Sequence, residues 1–452
     1  MMNDLVGFQF MNKVQKENFR SAARKFEQYW KHRRIARAPL NEEQAEKKYN
    51  EAFLATQIGP KRRKNIDALL QDSSLKAVVG PAEQLEEISE SKTVNALAQH
   101  SKKVFNEMRD LEETHKAIIY DIVISKVWAK TGMMKSYAAT YKILNEMKNC
   151  GMEPRTMLDF GCGAGPSLWA ANELFKETLE EYTGVDKSLD QLRMARYVVT
   201  GGHPERDTPG IRFKKTLPDG IAGSKEQYNI VMCSQTLGDL PDRKTRIAAI
   251  DKMWNKVHYE GGVLVIIESG SIAGHEIVQE ARSHLIDNMK NSFVVAPCGH
   301  NAPCGLFRKA EGPMANSRRL EKPELDFFPR CSFPVRYERP HWAFTKGQDD
   351  GNQRTMVVES FNYIVVGKNV NQLPPALQAP RIIGKVGVSG KALETTSVVI
   401  CVNGKPVPLG LSKARDGDEI VLQASRSHVG ETFPVKEIEN WQPAQDGLPT
   451  II

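Results

Sequence analysis

Cysteine is scarce in this chain, with seven residues in 452, and those seven are scattered. That excludes the dense, even framework of a small secreted disulfide scaffold and favours a reducing compartment. No Cys-x-x-Cys pair occurs, so the closely spaced ligands of common structural zinc sites are missing as well. No apolar run approaches the length of a membrane-spanning helix. Acidic residues are outnumbered, 55 against 62 Lys and Arg, for a formal net charge of +7. Such a balance suits a polyanion such as RNA, and it equally suits a basic surface without a partner. No internal repeat is present. What is there is an ordinary globular apolar fraction and a length sufficient for two or three domains.

Residues 1–150 read as a helical region, charged and poor in Gly and Pro. Within "HKAIIYDIVISKVWAKTGMMKSYAATYKILNEMKNCG" the apolar positions recur at helical spacing; Tyr137, Tyr141 and Leu144 share one face, and Gly151 follows as a stop. The first forty residues carry nine Lys or Arg against three acids, which fits an organellar targeting segment or an RNA-facing helical arm. "GPKRRKN" at 59–65 is a basic knot, either a phosphate contact or a solvated turn.

From residue 151 to 368 the pattern is strand alternating with helix. "TMLDFG", "EYTGVDKS", "YNIVMCSQTLGDL" and "GGVLVIIESG" are strands, with helices between them, and "TMVVESFNYIVVGK" supplies more strand later. This alternation predicts an α/β fold, a parallel sheet covered by helices on both faces. The segment at 291–345 is expected to be an insertion within it. After the Pro-rich joint "NQLPPALQAP", residues 369–452 form a small C-terminal β unit and tail; "SVVICVNGKPVPLGL" and "DGDEIVLQAS" read as its antiparallel strands, with a turn at Asn403 and Gly404.

Two places carry chemistry. "LDFGCGAGPSLW" puts Gly161, Gly163 and Gly165 between the first strand and a helix, where glycine lets backbone approach a ligand and the helix start offers unpaired N–H donors. Asp186, ending the second strand, is placed to accept from two ribose hydroxyls, and Asp159 precedes the glycines. This is the arrangement of a class I (Rossmann-like) S-adenosylmethionine methyltransferase; an empty pocket on a doubly wound sheet is the alternative. The following strand end reads "SQTLGDLPD", without the Asn/Asp-Pro-Pro-aromatic cluster of many base or amine methyltransferases. Asp239 and Asp242 lie there, and solvated loop charges explain them equally well. Cys233, inside an apolar strand, reads as packing. No catalytic residue is assigned.

The second place is "VVAPCGHNAPCGLF", where Cys298 and Cys304 stand with five residues between them on a stretch rich in Pro and Gly. Such a loop suits metal capture, with His300 as a further donor; two buried cysteines acting as small hydrophobes are the other reading.

Taken in order, "YAATYKILNEM", "MLDFGCGAGPSLWAA", "SQTLGDLP", "IESGSIAGHEIVQEAR", "APCGHNAPC", "CSFPVRYERP" and "PRIIGKVG" resemble the motifs of the mitochondrial methyltransferase-like small-subunit ribosome assembly factors. The similarity runs from about residue 115 to 415. The resemblance implies a protein of the mitochondrial matrix that binds the small mitochondrial ribosomal subunit through rRNA, alongside ribosomal proteins or other assembly factors. It implies a 4Fe-4S cluster held by Cys298, Cys304, Cys331 and Cys401, with zinc as the competing metal and His300 as a competing ligand. It also implies a methyltransferase fold that need not be catalytically active; the intact glycines and Asp186 favour S-adenosylmethionine as a cofactor. An active rRNA methyltransferase is the alternative, and a redox-responsive translation regulator is a third. Arg330, Arg336, Arg339 and His341, around the third cysteine, form a candidate phosphate-facing patch.

Overall fold

The computed structural model describes residues 120–200, 203, 206–217, 226–306, 331–338, 356–370, 379–389, 395–427 and 429–433, with two further three-residue strands near the C-terminus. The basic stretch at 59–65, the first forty residues, and Arg330, Arg339 and His341 lie outside the described residues.

Among the described residues, two helices precede the sheet. Helix α1 (Ile122–Thr131) begins at Asp121, whose carboxylate accepts from the N–H groups of Val123 and Ile124, and α2 (Met133–Asn149) follows after Gly132. Such caps satisfy donors that a helix start leaves unpaired. Tyr137 and Leu144 are buried on α2, which packs on the following helix and on the sheet edge.

Strands β1 (Thr156–Phe160), β2 (Glu181–Val185), β3 (Ile211–Lys214), β4 (Ile230–Ser234) and β5 (Val263–Ser269) pair in parallel in the order β3-β2-β1-β4-β5. Helices α3 (Pro166–Phe175), α4 (Leu189–Val199) and α5 (Arg243–Lys256) connect them. Parallel neighbours need such crossovers, which cover both faces of the sheet, and β4 is accordingly buried throughout and apolar up to Ser234. After β5 come α6 (Ile272–Asn288), β6 (Ser292–Ala296), β7 (Phe333–Glu338) and β8 (Met356–Lys368). Strand β8 runs antiparallel between β5 and β6, and β7 pairs with a different stretch of β8. The ends of the 291–345 segment therefore belong to the sheet, and residues 307–330 lie outside the described residues. A parallel run of five with one antiparallel strand before the edge is the class I methyltransferase topology. Leu158, Val231, Leu264, Ile266 and Ile364 lie at the centre of its core.

The C-terminal unit is a three-stranded antiparallel sheet, β11-β10-β9, from β9 (Arg381–Ser389), β10 (Thr395–Val402) and β11 (Lys405–Ser412). Asn403 and Gly404, with φ of 46° and 81°, form the two-residue turn that the Asn-Gly pair predicts. One expectation is corrected: "DGDEIVLQAS" is not a strand but helix α7 (Asp418–Arg426). Asp418 and Glu419 favour its first turn, and Val421 and Ala424, three apart, both face the unit's own core with Ile400 and Leu409.

Candidate functional site

The glycine turn closes β1 onto α3. Gly161, Gly163 and Gly165 have φ of 73°, 52° and 87°, all left-handed. Gly161 and Cys162 donate their N–H groups to the Val185 carbonyl, at 2.7 and 3.0 Å, so the turn is tied to the end of β2. At Gly161 the need for glycine is also steric, since a Cβ there would collide with the Thr236 side chain. Pro166 occupies the first position of α3, where its missing N–H costs nothing.

Asp186 lies across this turn. Its carboxylate accepts from the Gly163 N–H at 3.0 Å and the Ser188 N–H at 2.8 Å, and burial raises its pKa despite these bonds. Each oxygen keeps a second lone pair, so the donor set still fits a ribose diol. Sequence reasoning missed the residues that roof this turn. Trp128 of α1 sits within van der Waals reach of Gly163, and Ser188 donates to the Tyr120 carbonyl at 2.6 Å. Tyr120 in turn donates its hydroxyl to Asp239 at 2.8 Å, and Asp242 caps α5 by accepting from the Thr245 N–H. Both acids of "SQTLGDLPD" are thus engaged with the fold. Only "VWAK" upstream of the sheet offered a signal for the roof, and it reads equally as core.

Asp159 is 1 % exposed and accepts from the Tyr182 hydroxyl at 2.7 Å. Burial pushes its carboxyl up to about 7, against the lowering effect of the Tyr182 and Ser167 bonds. A folded-state pKa above the unfolded one means the folded chain holds its proton more tightly, so stability falls as pH rises from about 4 to about 7. Asp159→Asn keeps an acceptor for Tyr182 and removes the titration. Urea denaturation should show the variant gaining up to about 4 kcal/mol relative to wild type between those limits; an unchanged slope would overturn this.

The thiols come from three separated segments. Cys298 and Cys304 flank the loop after β6, Cys331 immediately precedes β7, and Cys401 lies near the end of β10. None of the four is in a disulfide, and Cys331 and Cys401 are buried. The fold brings them into electrostatic range of one another. Burial pushes Cys298 up to about 11, with Cys304 adding to it and Arg282 and Arg381 opposing. Cys331 is raised by a hydrogen bond with Cys304, by burial, and by the other three thiols. Cys401 is raised by burial and then by Cys298 and Cys304. Burial and Arg282 lower His300 to about 4, keeping its imidazole neutral. Raised in this way, the thiols keep their protons near neutral pH, and a bound cation would displace those protons; soft sulfur suits iron–sulfur clusters and zinc. Among the described residues no three His, Cys, Asp or Glu are arranged to grip one metal ion. Four thiolates would be the ligand set of a 4Fe-4S cluster, and Cys298, Cys304, Cys331 and Cys401 are the residues that would supply them.

The strand order and the glycine turn define a protein of the class I methyltransferase fold with four reduced cysteines drawn from three segments. Residues 122–434 match the family described as mitochondrial small ribosomal subunit Rsm22, and the chain belongs to that family. It is 29 % identical over 236 residues to the human mitochondrial ribosome assembly protein METTL17, covering 46 % of this chain and 50 % of that one. The Rsm22-cox11 tandem protein 2 of Schizosaccharomyces pombe is 25 % identical over 183 residues, 38 % of this chain and 24 % of that one. The chain thus matches half or less of the length of these relatives. Among solved structures, the putative RNA methyltransferase PH1948 of Pyrococcus horikoshii aligns with a TM-score of 0.31 and 10 % identity, over 59 % of this chain and 97 % of that one. N-methyltransferase NodS of Bradyrhizobium japonicum WM9, in complex with S-adenosyl-L-homocysteine, gives 0.25 and 19 %, over 32 % and 66 %.

Proposed function

We propose that this chain is an assembly and translation factor of the mitochondrial small ribosomal subunit, working in the matrix as an rRNA-binding scaffold. Its partners are the subunit's rRNA and the ribosomal proteins or assembly factors around it. The observation that carries the reading is the convergence of Cys298, Cys304, Cys331 and Cys401 from three segments, within the span of the family match. These four residues hold a 4Fe-4S cluster. Bound there, the cluster supplies a covalent cross-link between the sheet edge and the C-terminal unit. The net charge of +7 supports an electrostatic attachment to RNA.

Gly161, Gly163, Gly165 and Asp186 form the place for S-adenosylmethionine, whose chemistry is methyl donation. The glycines allow close backbone approach and Asp186 orients the ribose, with Asp159 bracing the turn from within the core. Asp239 and Asp242 are committed to Tyr120 and to the α5 cap, which favours a scaffold over a catalyst. The intact glycine turn keeps a second reading in play, an active rRNA methyltransferase. Gradient sedimentation of the full chain from mitochondrial lysate tests the first. The chain should travel with the small subunit and dissociate as salt is raised from about 50 to 200 mM, as phosphate contacts require. Migration apart from the subunit at low salt would sink the proposal. Labelled methyl groups passing from S-adenosylmethionine to small-subunit rRNA would establish the second reading.

A further inference from the structure

The loop that carries Cys298 and Cys304 has no helix or strand of its own, so its backbone carbonyls must find donors elsewhere. Two arginines, each 4 % exposed, supply them. Arg282 of α6 donates from Nη2 to the His300 carbonyl at 3.1 Å and the Ala302 carbonyl at 2.5 Å, and it also reaches the Cys298 thiol. Arg381, the first residue of β9, donates from Nε to the Pro297 carbonyl at 2.7 Å and from Nη1 to the Gly430 carbonyl at 2.8 Å. Its remaining nitrogen pairs with Glu146 of α2. Arg381 is also the register partner of Cys401 across the β9–β10 ladder.

Two more contacts complete the grip. Asn301 accepts from the Val294 N–H at 2.9 Å and donates to the Ser292 carbonyl at 3.1 Å, fastening the loop to β6. Gly305 donates its N–H to the Gly404 carbonyl at 2.6 Å, so the loop rests on the β10–β11 turn; a Cβ at Gly404 would collide with the Pro303 carbonyl.

We propose that Arg282 and Arg381 are positioning residues that build the thiol site before any metal arrives, clamping the Cys298–Cys304 loop against the turn that follows Cys401. The purpose of the clamp rests on the metal-site reading above; its existence does not. A guanidinium is a planar fork of five donors that stays charged when buried, so one side chain serves several carbonyls at once. Lysine, a single point charge, cannot reproduce that fork.

Hydrogen exchange on the metal-free full chain, prepared with chelator and reductant, tests the clamp. In wild type the Gly305 amide, which donates to the Gly404 carbonyl, should be protected. Arg282→Met frees the His300 and Ala302 carbonyls that hold the loop in place and should speed that amide's exchange by about tenfold or more, the scale set by losing bonds from a charged donor, while β1 and β5 exchange as before. Arg282 does not touch the C-terminal unit in these bonds, so this variant avoids the unfolding that Arg381→Met risks. Added methylguanidinium should restore protection to Arg282→Ala, a rescue that general destabilisation would not give. Free-peptide exchange of the loop in metal-free wild type, becoming protected only after iron with sulfide or zinc alone is supplied, overturns the proposal. So does an Arg282→Met loop that exchanges like wild type. If the wild-type loop is protected and neither metal binds, the clamp stands and the metal-site reading falls.

Discussion

Cys331→Ser should lose more than about nine-tenths of the bound iron and stop the chain from sedimenting with the small ribosomal subunit, whereas Asp186→Ala should leave both within about twofold of wild type. The contrast follows from where each residue sits. Cys331 leads into β7, which pairs with β8 of the sheet, and Cys401 lies on β10 of the C-terminal unit. A metal bound by both would join two parts otherwise tied by few bonds, such as Gly305 N–H to the Gly404 carbonyl and Arg381 to the Pro297 carbonyl, so losing one ligand should release a whole surface. Asp186 holds only the glycine turn, through Gly163 and Ser188. Iron analysis, gradient sedimentation and labelling of new mitochondrial products, in cells lacking the native protein, read the outcome. Suppose instead that Asp186→Ala stops translation while association persists, and a methyl group disappears from the rRNA. The scaffold reading is then wrong and the methyltransferase reading replaces it.

Gly161→Ala should abolish S-adenosylmethionine binding, raising Kd by more than about a hundredfold, and destabilise the chain by about 2–4 kcal/mol. The left-handed φ of 73° costs any L side chain, and the new Cβ would strike both Oγ1 and Cγ2 of Thr236. Relief is available at that neighbour. Thr236→Ala deletes both atoms but leaves its Cβ 2.8 Å from the new one, so the double variant should recover only part of the stability and some affinity, with the backbone cost and a residual contact remaining. Calorimetry and urea denaturation of the four chains form a double-mutant cycle. A Gly161→Ala variant that binds the cofactor like wild type would show that the turn is not where the ligand rests. Additive effects of the two substitutions would show that the collision with Thr236 is not the cause.

Much of the fold was legible because its signals are local. The apolar runs of β1, β2, β4 and β5 announce buried parallel strands, three glycines in five residues announce a tight turn before a helix, and Asn403-Gly404 announces its hairpin. The stretch 416–425 misled because a short apolar run bounded by Asp and Gly fits either period, and only packing against Ile400 and Leu409 makes it a helix.

The sequence by itself determined the strand–helix alternation, the glycine turn with Asp186 beside it, and the four thiols as candidates through an ordered set of family motifs. Only the tertiary structure decided that β8 enters between β5 and β6, that Tyr120 and Trp128 roof the turn, and that Arg282, Arg381 and Glu146 surround the thiol loop. The reason is range. Turns, caps and periodicity act over a few residues and are written in spacing, whereas Arg381 meets Pro297 across 84 positions and Glu146 across 235. Such pairs carry no spacing signal, because the donors are chosen by whichever buried carbonyls the finished fold would otherwise leave unpaired.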